Sequence, residues 1–365
     1  MSERNLHAKA FDEGTQEKLH IYRRYLREWL PVFLHAKVKV SRIQIFDFFA
    51  GPGFDLDGKA ASPVIALEEV HSAVQQAREH GCIPPAIDLY LNEFSLSKFK
   101  TLNSVVESHP FISDVNVTLV RHDFKDAFYA WYPLMRRQGV ANLLFLDQNG
   151  VKQVSTDIFK MITDLKYTDF MFYIASSIVN RFKSDPKIID PLPIDDNDLQ
   201  RMNGTNVHCV IKDAYQRVAP KCYMAPFSIR KGANVYGLIF GAEHLLGLEK
   251  FLSICWRLDQ VHGLANFDVE NEKIDPHAPS LFAEMDRPKK LDLFERDLLE
   301  LILAKKIKTN HQIYEFALRS GFLPAHARAA LKAMMDERKI PRQKVSISRD
   351  CMKDAPVSLE LLAKR

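Results

Sequence analysis

The apolar residues in the first half of the chain change their period several times. Short apolar runs rich in β-branched and aromatic residues alternate with stretches whose apolar residues recur every three or four positions. The first pattern predicts strands and the second predicts amphipathic helices. The predicted strands are 43–49, 87–93, 115–120, 142–147 and 170–175, and the predicted helices are 15–33, 62–80, 95–107, 126–138 and 155–165.

This alternation predicts a parallel sheet, because parallel neighbours need a crossover helix between them. The pattern changes after residue 175. Residues 185–198 are rich in Pro and Asp and predict a loop, whereas 223–229 and 234–240 predict two antiparallel strands. We therefore predict an α/β fold with a Rossmann-like, doubly wound, mostly parallel sheet that ends in an antiparallel edge.

The C-terminal fifth has a different organisation. Helical periods predict three helices over 291–307, 311–319 and 324–338, and residues 340–347 predict a strand or wing. Three helices with a tight turn before a basic third helix resemble a winged helix-turn-helix. We predict a Rossmann-like domain over 1–265, a linker over 266–290 and a winged-helix module over 291–365.

The net positive charge of the chain comes from this C-terminal region. The whole chain has a formal net charge of +4, whereas residues 287–365 carry 18 Lys and Arg against 10 Asp and Glu. Local basicity favours a polyanionic partner, so we expect DNA or RNA to bind there. A solvated surface, a protein-binding winged helix and a lid on the first domain remain alternatives. The candidate nucleic-acid residues are Arg328, Lys332, Arg338, Lys339, Arg342 and Lys344.

Cysteine and histidine spacing gives no sign of a metal centre. The five cysteines lie far apart without a CxxC pair, and the histidines form no HxxxH or HxH cluster. Neither a signal-like start nor a membrane-length apolar run is present. We expect a cytoplasmic protein with reduced thiols, no metal and no membrane contact.

Candidate chemistry lies where the predicted strands end. The first strand runs into Asp47 and the glycine-containing loop that ends at Gly53, and small residues there let a ligand approach the backbone. Glu93 follows the second strand, where an acid can accept hydrogen bonds from ribose hydroxyls. Asp147 follows the fourth. Caps and turns would explain any one of these polar residues, but they explain the full set poorly.

The order of a glycine loop and successive acids resembles that of class I S-adenosylmethionine-dependent methyltransferases. The resemblance implies S-adenosylmethionine as cofactor, with the loop at its methionine end, Glu93 on the ribose, Asp123 and Phe124 bordering the adenine, and Asp147 in the transfer site. The cofactor-binding candidates are Asp47, Ala50, Gly51, Pro52, Gly53, Glu93, Asp123 and Phe124.

Four strings narrow the resemblance. They are Leu19-His20-Ile21-Tyr22, Asp47-Phe48-Phe49-Ala50-Gly51-Pro52-Gly53, Leu91-Asn92-Glu93 and Phe145-Leu146-Asp147-Gln148-Asn149-Gly150-Val151. These strings look like the three-Cys-motif partner family. That resemblance implies a methyltransferase-like fold and a partner protein with a three-cysteine motif, without a firmly assigned reaction.

Methyl transfer needs in-line placement and, for a protonated nucleophile, a proton acceptor. We predict Asp147 in that role, with Gln148 and Asn149 as orienting amides. The leading hypothesis is a methyltransferase that acts on nucleic acid docked by the winged helix. The alternatives are a non-catalytic scaffold for a three-cysteine protein and another nucleotide-cofactor enzyme on the same fold.

Overall fold

The structure is a computed structural model that describes residues 10–35, 40–148, 150–204, 206–275 and 287–361. It divides into two compact units, Met1–Lys250 and Phe251–Arg365. The strands of the first unit are β1 (Arg42–Asp47), β2 (Ala86–Asn92), β3 (Asn116–Val120), β4 (Val140–Leu146), β5 (Thr168–Ile174), β6 (Tyr223–Lys231) and β7 (Asn234–Ala242).

These strands form one seven-stranded sheet in the order β3-β2-β1-β4-β5-β7-β6. The five strands from β3 to β5 are parallel, and β7 pairs antiparallel with both β5 and β6. The predicted fold class is therefore confirmed, including the antiparallel edge. Pro226 lies in the outermost strand, β6, where a missing N–H is tolerated.

Helices cover both faces of the sheet. Those of the first unit are α1 (Glu13–Leu34), α2 (Ser62–Glu79), α3 (Leu96–Glu107), α4 (Phe124–Met135), α5 (Thr156–Thr163), α6 (Ser176–Arg181), α7 (Pro186–Ile189), α8 (Asp196–Arg201) and α9 (Val207–Val218), and α10 (Leu245–Leu258) follows them. Buried side chains of α4, α5 and α9 form a core with alternate residues of β1, β4 and β5. On the opposite face, Tyr22 of α1 contacts Phe145 of β4. Alternation along each strand thus supplies both cores.

The loop predicted over 185–198 was wrong in part, because α7 and the start of α8 lie within it. Asp185 accepts the N–H of Lys187, and Asp195 accepts the N–H of Asp198. Each Asp therefore caps a short helix, a use of Asp that competes with its use in turns. Helix α9 was not predicted from the sequence.

The second unit contains α11 (Lys289–Leu303), α12 (Asn310–Arg319) and α13 (Pro324–Asp336), close to the three predicted helices. Residues 340–347 form no strand. This segment is joined to the C-terminal residues through Gln343. Its amide nitrogen donates to the carbonyl of Glu360 at 3.0 Å, and its amide oxygen accepts the N–H of Glu360 at 2.9 Å. Residues 276–286, within the predicted linker, lie outside the described residues.

Gly241 of β7 pairs with Phe170 of β5, and a Cβ atom added there would lie 2.1 Å from Cζ of the phenyl ring. We expect Gly241→Ala to lower the free energy of unfolding by about 1–3 kcal/mol, because the buried ring must shift. Urea unfolding followed by circular dichroism measures this loss. Gly204→Ala is the control, since a Cβ at Gly204 meets no atom within 4 Å. Equal midpoints for both variants would contradict the packing argument.

Candidate functional site

The sheet has a topological switch point at β1, which lies between β2 on one side and β4 on the other. Open α/β sheets bind ligands in the crevice at the carboxyl ends of such strands. Asp47 ends β1, Glu93 follows β2 and Asp147 follows β4. We call Asp47, Gly51, Gly53, Glu93 and Asp147 the switch-point site.

The loop after β1 needs glycine at two positions. Gly51 has φ +68° and Gly53 has φ +96°, values that residues with a Cβ atom rarely adopt. Gly53 also packs closely on α3, because a Cβ there would lie 3.1 Å from Cγ1 of Val105. Its carbonyl accepts the N–H of Ala61 at 2.8 Å, which fixes the start of α2.

Glu93 fastens this loop to the end of β2. One carboxylate oxygen accepts the N–H of Gly51 at 2.9 Å, and the other accepts the N–H of Ser95 at 2.7 Å. The residue is 9% exposed. Each carboxylate oxygen has more than one acceptor site, so both can accept a further bond from a ligand hydroxyl.

Asp47 is a buried acid with spare acceptor capacity. It is 1% exposed; Oδ1 accepts the N–H of Phe49 at 3.1 Å, and Oδ2 has no hydrogen-bond partner among the described residues. The pKa of Asp47 is raised to about 7, mainly by burial and also by the charges of Asp147 and Glu93, while hydrogen bonds from Ser62 and Phe49 oppose the rise. The influence of both carboxylates indicates that the three acids lie near one another.

Asp147 has a cationic neighbour that the sequence analysis missed. Nζ of Lys18, on α1, forms an ion pair with Oδ2 of Asp147. The same Nζ lies 5.4 Å from the ring centroid of Tyr173, whose hydroxyl donates to the carbonyl of Lys18 at 3.4 Å. No sequence motif marks Lys18, because it meets Asp147 only through the packing of α1 on the sheet.

The side chain of Gln148, predicted as an orienting amide, is buried just after the end of β4. Its side-chain oxygen accepts the N–H groups of Gln153 and Val154 at 2.9 and 3.3 Å. Its amide nitrogen is buried without a partner among the described residues. Asn149, the third catalytic candidate, lies outside the described residues.

The two adenine-border candidates have different surroundings. Asp123 is exposed and caps α4 by accepting the N–H of Lys125 at 3.0 Å. Phe124 is 3% exposed and stacks on Phe49 at 5.3 Å between centroids. Their role at an adenine remains a prediction. Phe94, directly after Glu93, is 64% exposed, and an exposed aromatic residue next to a candidate ribose acid is a signal that the sequence analysis overlooked.

The six basic candidates of the C-terminal unit are all exposed. Arg328 donates to the carbonyl of Ile347 at 2.6 Å, while Lys339 pairs with Glu337 and Arg342 pairs with Asp336. Among the described residues, Lys332 and Lys344 form no ion pair. Exposed ion pairs contribute little energy, so a phosphate can compete for these cations.

Residues 268–341 match the family model described as the GMT-like wHTH domain. The C-terminal unit therefore contains a winged helix-turn-helix domain. No curated protein sequence matches the chain.

Three solved structures illustrate the structural likeness. A transferase of Pyrococcus horikoshii has 9% identity and TM-score 0.30, with 64% of each chain covered. An SAH-bound methyltransferase of Podospora anserina has 11% identity and TM-score 0.28, with 62% of this chain and 96% of that chain covered. M. capricolum TrmK, in complex with S-adenosyl-homocysteine, has 10% identity and TM-score 0.27, with 82% of this chain and 96% of that chain covered. At scores this low, the likeness carries no weight for function.

Across the described residues, no group of three or more His, Cys, Asp and Glu side chains could hold a metal ion. No helix in the described part of the chain is long and apolar enough to cross a membrane.

Because Asp47 is buried, we expect Asp47→Asn to raise the free energy of unfolding by an amount that depends on pH. Because the folded pKa of about 7 exceeds the ordinary value of 3.8, the stability that protonation contributes is full below pH 3.8 and is lost as the pH rises through 7. The amide avoids this loss. We expect the variant to be more stable at pH 8, with an advantage about 3 kcal/mol smaller at pH 5.

Urea unfolding of both proteins at the two pH values measures this difference. Asp169, whose pKa burial also raises to about 7, titrates in both proteins and cancels in the comparison. Glu107→Gln, at an exposed acid of α3, serves as the control. An advantage of equal size at pH 5 and pH 8 would contradict the buried-charge explanation.

Proposed function

We propose that the first unit binds S-adenosylmethionine at the switch-point site and transfers its methyl group to a nucleic acid docked by the winged helix-turn-helix domain. The observation that carries the proposal is the Glu93 carboxylate, which is fixed against the glycine loop at the end of β2. An acid at this position is placed to accept bonds from the two hydroxyls of a ribose. The sheet order puts it at the switch point.

The residues present fit such a cofactor in charge and in their capacity to accept hydrogen bonds. S-adenosylmethionine carries cationic groups, and the site offers the carboxylates of Asp47, Glu93 and Asp147. Oδ2 of Asp47 is a buried acceptor with no partner among the described residues, as expected of an atom that completes its bonding with a ligand. Gly51 places no side chain beside the Glu93 carboxylate to which its N–H donates.

The chain's own residues would perform three tasks. Glu93 would hold the ribose, and Phe94, with Asp123 and Phe124, would border the adenine. The carboxylate of Asp147 would accept a proton, or a hydrogen bond, from the substrate atom that receives the methyl group. The bound cofactor would supply an electrophilic methyl group, and the protein's main contribution would be alignment.

A second function is favoured by Gln148. Its side-chain oxygen is used to hold the backbone of residues 153 and 154, which is a structural task rather than a catalytic one. A chain of this kind could retain the fold as a non-catalytic scaffold for a protein with a three-cysteine motif. The resemblance to the three-Cys-motif partner family supports this second proposal.

Cofactor binding is the first test. Calorimetric titration with S-adenosylmethionine and S-adenosylhomocysteine should give saturable binding, and Glu93→Ala should weaken it at least about tenfold through the lost hydrogen bonds to a charged group. Glu107→Ala, at an exposed acid on the helix after the same strand, should bind normally. A urea midpoint for each variant separates lost binding from lost folding. Absence of binding in the wild type would refute the enzyme proposal and favour the scaffold.

Docking of nucleic acid makes a separate prediction about salt. Replacing Lys332 and Lys344 by Gln should weaken binding of a DNA or RNA duplex and reduce the slope of log K against log salt by about 2, because two phosphate contacts are lost. Replacing Lys305 and Lys306, exposed cations just after α11, removes the same charge elsewhere in the unit. Fluorescence anisotropy over a salt series measures both. Equal slopes for the two double variants would argue against the assigned surface.

A further inference from the structure

Lys18 has a singular position among the charged groups of the switch-point site. In the described part of the chain, no other lysine or arginine forms an ion pair with Asp47, Glu93 or Asp147. The side chain of Lys18 is 18% exposed, and its ammonium group lies between the Asp147 carboxylate and the ring of Tyr173. An internal cation therefore already occupies part of this acidic site.

The start of α1 is fixed to the β6–β7 hairpin. Asp12, the residue that caps α1, pairs with Nζ of Lys231 at 2.9 Å, and the same Nζ donates to Oγ1 of Thr15 at 3.1 Å. Gly14 lies so close to β6 that a Cβ there would be 2.7 Å from Cβ of Lys231. These contacts hold the first turn of α1 in place.

The chain just before the helix cap is attached to the loop after β1. The N–H of Phe11 donates to Oδ2 of Asp55 at 2.7 Å, within the loop that follows the glycines. The contacts of Phe11 with the loop after β1, and of the first turn of α1 with the hairpin, lie just before Lys18 in the chain. They fix the start of the helix whose second turn carries Lys18 to Asp147.

The charge of Lys18 affects how ligands of different charge approach Asp147. Three neighbouring carboxylates favour a positive charge, because the attraction between opposite charges about 4 Å apart is appreciable near a protein surface. Lys18 supplies that charge when no ligand does. A cationic ligand that approaches Asp147 must replace the ammonium or share the carboxylate with it, whereas a neutral ligand need not.

We propose that Lys18 is the internal counter-ion of the transfer site and that, by competing for Asp147, it sets how strongly the site distinguishes the cationic sulfonium of S-adenosylmethionine from the neutral thioether of S-adenosylhomocysteine. This inference rests on the proposed cofactor function. Lys18 is thus a specificity-determining residue, which acts through Asp147. Its ammonium group pairs with the Asp147 carboxylate when the site is empty and when the neutral S-adenosylhomocysteine is bound.

The test is calorimetric titration of the full chain with both ligands, comparing the wild type with Lys18→Met and Lys18→Arg. Lys18→Met should bind S-adenosylmethionine about fivefold more tightly, corresponding to about 1 kcal/mol, and should change S-adenosylhomocysteine binding much less. Lys18→Arg keeps the charge and should retain the wild-type ratio of affinities. Lys100→Met removes an exposed charge of α3 and should leave both affinities unchanged.

The results distinguish failure of the role of Lys18 from failure of the cofactor site. Weaker binding of S-adenosylmethionine by Lys18→Met, or a parallel change for both ligands, would overturn the role of Lys18 while leaving the cofactor site standing. Binding that appears only in Lys18→Met would support both proposals. If none of the proteins binds either ligand, the cofactor proposal fails and the inference about Lys18 fails with it.

Discussion

The geometry of the site depends on one carboxylate that bonds to backbone N–H groups of two loops. Glu93 accepts from Gly51 in the loop after β1 and from Ser95 just before α3. Charge-assisted bonds of this kind are stronger than neutral ones, and here they join the ends of adjacent parallel strands. The positive φ angles of the glycine loop are compatible with this attachment. The same carboxylate thus organises the site before any ligand binds.

The acids come together at an energetic cost. Asp47 is buried beside two further carboxylates, and its Oδ2 atom lacks a partner in the described part of the chain. Buried polar atoms usually find a partner, and exceptions are concentrated where ligands or chemistry complete the bonding. The hydrophobic cores on both faces of the sheet supply the stability that lets the site retain this unfavourable arrangement.

Much of this architecture was predictable from the sequence, because parallel strands buried on both faces leave apolar runs that periodicity detects. The carboxyl-end acids were predictable for the same reason, since the strand ends fix Asp47 and Asp147. Lys18 was not, because its partner lies 129 residues away and no local pattern encodes that contact. The short helix α8 was missed because Asp195 serves equally well in a turn and as a helix cap.

The contacts of α1 with distant strands affect how the protein folds during its synthesis on the ribosome. Tyr25 reaches Asp169 across 144 residues, and Thr15 meets Lys231 across 216. Helix α1 therefore leaves the exit tunnel long before β5 and β6, and its contacts with these strands form only after they have been synthesised. Contacts of such long sequence separation slow folding, because both partners must be available before they can form. On the ribosome, α1 is thus synthesised well before the strands that complete its attachment.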